Sequence, residues 1–131
     1  MQSSPYWYLW LVAFALTLLI EAPFVLGFLA RSERSPGRRC VLLVVANLAT
    51  HPLVWFFFPE LPLERRCSLW LSEGWAFVVE AFVYAALVTA SDQHIRARLG
   101  GAVLASAAAN ACSWVIFTPW FWRHAAVVLP P

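Results

Sequence analysis

The sequence predicts an all-α integral membrane protein folded as a four-transmembrane-helix bundle. Two observations carry this: 62% of the 131 residues are hydrophobic while only 12% are charged, and apolar runs fall at 6–30, 40–58, 70–90 and 101–121. Each run is long enough to cross a hydrocarbon core about 30 Å thick. A mean hydropathy of +0.70 excludes an ordinary soluble domain. The chain therefore reads as one transmembrane domain over 1–131, with no soluble part to carry function.

The first helix is opened by Tyr6-Trp7-Tyr8-Leu9-Trp10, without a preceding basic segment, and its apolar run is about twice as long as the core of a signal peptide. It reads as a retained helix. Thr17 and Glu21 share one face, and Pro23, two residues on, withholds a donor from the Leu19 carbonyl. The following segment 31–39 holds Arg31, Arg34, Arg38 and Arg39 with a Pro-Gly turn signal and reads as a connector.

The second helix places Asn47, Thr50 and His51 on one face, with Pro52 freeing the Leu48 carbonyl in the same turn. The third holds Glu73, Phe77, Glu80 and Tyr84 on a single stripe, at about 100° per residue. A carboxylate at the bilayer centre costs at least about 2.5–3.5 kcal/mol, so that stripe is expected to face protein. The fourth helix follows Gly100-Gly101 and aligns Ala102, Ser106, Asn110 and Ser113, small residues that permit close helix approach.

Charge sets the expected topology. All nine basic residues are Arg; those of 31–39, with Arg96 and Arg98, put loops 31–39 and 96–98 in the cytoplasm of a bacterial inner (plasma) membrane and both termini outside. Trp7, Trp10, Trp55, Trp70, Trp75, Trp120 and Trp122 gather toward the opposite end, as an interfacial belt would. Cys40, Cys67 and Cys112 form neither a disulfide framework nor a thiolate metal motif.

The two hairpins also repeat a pattern. Glu21-Ala followed by Asn47-x-x-Thr50 matches Glu80-Ala followed by Asn110-x-x-Ser113, with offsets of 59 residues for the glutamates and 63 for the asparagines. Helices of equal direction correspond, so the relation is that of a parallel two-hairpin pseudo-repeat. Under it His51 matches Trp114 and Glu73 matches Phe14, which makes His51 a specialised addition to the first half and Glu73 one to the second.

Glu21, His51, Glu80, Asn47 and Asn110 at one depth are the ingredients of a proton or cation site, with Glu73, Thr50, Tyr84 and Ser113 as access or supporting groups. Close carboxylates in a low dielectric cannot both stay charged; one takes a proton or a cation intervenes. Ion-coupled transport is the first expectation. An intramembrane metal-dependent hydrolase or protease, with zinc on His51, Glu21 and Glu80 and an open water position, is the second. A non-catalytic subunit of a larger membrane complex is the third. Small multidrug exporters also combine four helices with a central glutamate, but their other motifs are not seen here; CAAX-type membrane proteases use a Glu-Glu pair with more than one His. The partners expected are the lipid bilayer, a small ion or small-molecule substrate, and a second copy or membrane-complex partner, but not nucleic acid.

Overall fold

The computed structural model describes the backbone of residues 4–88 and 95–128, and the side chains of 6–88, 96 and 98–116. The described chain is helical: α1 Ser4–Phe28, α2 Pro36–Phe56, α3 Arg65–Leu87 and α4 Ile95–Val128, with 3₁₀ turns at Leu29–Arg31 and Phe58–Glu60. By length and composition all four helices suffice to cross a membrane. The expected end of the third helix at 88–90 and the side chains of Trp120, Trp122 and Arg123 lie wholly or partly outside the described residues.

The helices start earlier than the apolar runs do. Ser35 adopts an extended conformation and its hydroxyl accepts from the Arg38 amide, with Pro36 in the first turn, so α2 begins before Cys40. Arg38 and Arg39 thereby belong to the helix, not to the connector. Glu33 reinforces the turn by accepting from the Ser35 amide and pairing with Arg38 at 3.5 Å. In the same way α3 takes in Arg65 and Arg66, and α4 takes in Arg96 and Arg98. Hydropathy marks where lipid contact is favourable, whereas helical hydrogen bonding continues into polar flanks.

Pro23 and Pro52 both lie inside continuous helices. Pro23 is exposed while Glu21 is buried, because two residues turn the helix through roughly 200°. Leu19, whose carbonyl Pro23 leaves without a donor, is likewise exposed.

The helices pack in a closed ring: α1 on α2, α2 on α3, α3 on α4 and α4 on α1, with no diagonal packing among the described residues. Gly101 of α4 lies against the end of α1, where an added Cβ would stand 3.4 Å from the Phe28 carbonyl oxygen and 3.5 Å from Ser32 Oγ. The buried apolar cluster comprises Val25 and Leu29 of α1 and its 3₁₀ extension, Leu42, Leu43 and Ala46 of α2, Tyr84 and Val88 at the end of α3, and Ala102, Ala105 and Ala109 of α4. Every member lies on the arginine-loop side of Glu21, Asn47, Glu80 and Asn110. The buried apolar cluster thus lies on the arginine-loop side of the polar layer, with the buried Ser32 and Glu33 beyond it.

Candidate functional site

Each helix contributes one turn to a central polar layer. On α1, Glu21 is 1% exposed, and on α3, Glu80 is 2% exposed. Asn47 Nδ2 donates to Glu21 Oε2 at 2.7 Å and also to the Leu43 carbonyl one turn back, at 3.2 Å. Asn110 Nδ2 donates to Glu80 Oε2 at 2.6 Å and to the Ser106 carbonyl one turn back, at 3.0 Å. The two hairpins thus build the same unit, a glutamate held by an asparagine whose amide is fixed by its own helix.

The hydroxyls cross between units. Thr50, three residues after Asn47, donates to Glu80 Oε1 at 3.1 Å. Ser113, three residues after Asn110, approaches the Glu21 carboxylate. Both also reach the carbonyl of their asparagine, Thr50 at 3.4 Å and Ser113 at 3.1 Å. Each glutamate therefore meets the amide of its own hairpin and the hydroxyl of the other. Ser106 ties α4 to α3 through the Phe77 carbonyl at 2.9 Å.

Among the described residues the hydrogen-bond partners of the two carboxylates are neutral. Among the described residues neither Glu21 nor Glu80 forms an ion pair with Arg or His. Glu73, two turns from Glu80 and partly exposed, lies within electrostatic range of both, so that three acidic side chains share one interior. Tyr84 is fully buried in the apolar cluster one turn on the other side of Glu80, and its hydroxyl has no hydrogen-bond partner.

His51 stands apart from the carboxylates in its contacts. Its ring packs edge-on to Phe14 at 5.3 Å between centroids, stacks on Trp55 at 5.9 Å and meets Trp10 at 6.0 Å. His51 Nδ1 and Trp10 Nε1 are buried without a hydrogen-bond partner. Among the described residues no group of three His, Cys, Asp or Glu side chains is gathered to hold a metal ion. The zinc centre expected on His51, Glu21 and Glu80 is thus not assembled, because the histidine is enclosed by aromatic rings of α1 and its own helix.

Two arginine caps escaped the sequence reading. Arg39 Nη1 donates to the Leu26 carbonyl, and Arg98 Nη2 donates to the Ala85 carbonyl at 2.7 Å. These carbonyls lie five residues beyond Glu21 and Glu80 respectively, at the C-terminal ends of α1 and α3, where helix oxygens have no partner of their own. The signal was present: an arginine follows each glutamate by 18 residues. It was hidden because a loop arginine also serves topology.

No family model matches the chain, and neither curated proteins nor solved structures give a match. The reading of the site rests on its own residues.

Proposed function

We propose that the protein is an ion-coupled membrane transporter whose ion, a proton or small cation, is bound at Glu21 and Glu80. The observation that supports this most is the pair of buried carboxylates whose hydrogen-bond partners are neutral amides and hydroxyls. Two or three acids in a shared low-dielectric interior require protons or a cation to balance them, and their mutual repulsion makes the occupancy exchangeable. Helix association alone is served by Ser, Thr and Asn, without ionisable groups.

The supporting hydroxyls suit either occupancy. Toward a charged Glu80, Thr50 donates; toward a protonated Glu80 it accepts, turning its own hydrogen to the Ala46 carbonyl at 3.2 Å. In this reading the four helices form a bundle of two parallel pseudo-repeats, loops 31–39 and 96–98 face the cytoplasm of a bacterial inner membrane, both termini face outward, and His51 flanks the outer approach.

The test is ion flux in liposomes reconstituted with purified protein. Glu80→Gln retains hydrogen-bonding atoms for Asn110 and Thr50 but cannot exchange a proton, so flux is lost while the protein stays folded. Undiminished flux in a folded Glu80→Gln protein rejects transport through this site.

A further inference from the structure

The two ends of the helix ring carry charge in different ways. Away from the arginine loop, Arg65 and Arg66 stand exposed beside Glu60 and Glu64, which are exposed as well, and that surface is balanced. At the other end lie Arg31, Arg34, Arg38, Arg39, Arg96 and Arg98, opposed among the described residues by Glu33 alone. The fold takes even this acid out of reach. Glu33 accepts from the Ser35 amide at 3.0 Å and pairs with Arg38 Nε at 3.5 Å, and its side chain is 8% exposed against 53% for Arg38. Arg34 lies between Glu33 and Ser35, so its backbone is held in the same turn that positions Arg38. Arg39 and Arg98 are turned to the Leu26 and Ala85 carbonyls. What remains at the start of α2 is a guanidinium surface of Arg34 and Arg38, with the exposed Arg31 just before them.

That surface heads an apolar one. From Arg38, steps of three and four residues along α2 lead to Val41, Val45 and Leu48 on the same outward face, and all three are exposed. Arg38 to Leu48 is ten residues, about 15 Å along the axis, which is half of a hydrocarbon core about 30 Å thick. Leu48 adjoins Asn47, so the stripe ends level with the polar layer. On α4 the exposed Arg96, Leu99 and Val103 form a shorter stripe of the same kind, headed by a single exposed arginine.

We propose that Arg34 and Arg38 bind the phosphate of an anionic phospholipid, one of whose acyl chains lies along Val41, Val45 and Leu48. The proposal rests on the four helices crossing a membrane, and not on an ion being bound at Glu21 and Glu80. A guanidinium stays charged and offers a fork of donors matched to phosphate oxygens. A zwitterionic headgroup brings its own cation and gains less from the same surface. The exposed stripe adds what a free phosphate lacks, an apolar partner for a chain that reaches one leaflet deep. Topology by itself asks only for positive charge somewhere in the loop, and gives these two arginines no preference for one lipid over another.

The experiment is native mass spectrometry of the purified full chain in detergent, titrated with phosphatidylglycerol or with phosphatidylcholine, with thermal melting by circular dichroism as the folding control. Wild type takes up phosphatidylglycerol in preference to phosphatidylcholine, and the preference shrinks as salt is added. Arg34→Gln and Arg38→Gln each lower the apparent affinity for phosphatidylglycerol about fivefold, while Arg66→Gln at the other end leaves it unchanged. Arg34→Gln keeps the Glu33–Arg38 pair, so it decides the matter if Arg38→Gln melts early. Equal uptake of the two lipids by wild type, or unchanged affinity in folded Arg34→Gln, overturns the proposal. Glycerol phosphate, the headgroup without its chains, does not displace the lipid; displacement at matched ionic strength assigns the arginines to a free phosphate instead. A dimer mass that replaces the lipid adduct assigns the face to a second copy of the chain and likewise overturns it. Lipid uptake is read without ion flux, so failure of the ion site and failure of the lipid site are separate results.

Discussion

Asn47 and Asn110 define the chemistry of this interior, because each spends one amide hydrogen on a carboxylate and another on its own helix. That double attachment makes the amide a fixed donor, whereas Thr50 and Ser113 are rotatable. Removal of a fixed donor leaves a buried acceptor short of a partner, so Asn110→Ala lowers unfolding stability in detergent by about 1–3 kcal/mol. Glu80→Gln, which keeps both contacts, falls well below that loss. Thermal unfolding of the two variants side by side checks the ordering, and a Gln variant as unstable as the Ala variant contradicts the assigned hydrogen bonds. The two asparagines, Glu21 and Glu80 were legible in the sequence because polar side chains at matching depths stand out against apolar runs. The environment of His51 was not, since sequence places its face but not the aromatic side chains of α1 that enclose it.

The helices are closed at one end by arginine and at the other by aromatic packing. Arg39 and Arg98 satisfy carbonyls at the ends of α1 and α3, where the helix dipole also favours a positive charge. Arg39→Ala and Arg98→Ala are each expected to cost about 1–2 kcal/mol, with the double variant close to additive because the two caps serve different helix pairs. Chemical or thermal unfolding of the three proteins measures this; strong non-additivity indicates that the arginines act on one shared element. At the far end Tyr6 donates to the Trp55 carbonyl at 3.0 Å and Trp7 packs on Phe56 at 4.6 Å, joining the start of α1 to the end of α2. The apolar runs revealed four helices but placed the starts of α2, α3 and α4 too late, since their first turns carry the arginines Arg38, Arg39, Arg65, Arg66, Arg96 and Arg98, which lower the hydropathy without ending the helix.

Across the whole molecule, the ring of four helices places the buried apolar cluster on one side of the polar layer and Glu73, Ser72 and His51 on the other. If the arginine-loop end is cytoplasmic, the exposed Cys67 at the start of α3 and the exposed Cys40 near the start of α2 lie on opposite sides of the membrane. An impermeant maleimide applied to intact cells then labels Cys67 and leaves Cys40 unmodified until the membrane is opened. The reverse pattern inverts the proposed topology.

The sequence by itself determined an all-helical chain with four runs long and apolar enough to cross a membrane, and two glutamate–asparagine pairs at common depth, because composition, run length and helical periodicity are local properties of the chain. Tertiary structure alone decided that Thr50 crosses to Glu80 and Ser113 approaches Glu21, that the carboxylates find neutral partners, that His51 is enclosed by rings, and that Tyr84 has a buried, unpartnered hydroxyl. The physical reason is that a helix fixes which residues share a face, while only the packing of one helix against another fixes which faces meet and at what height.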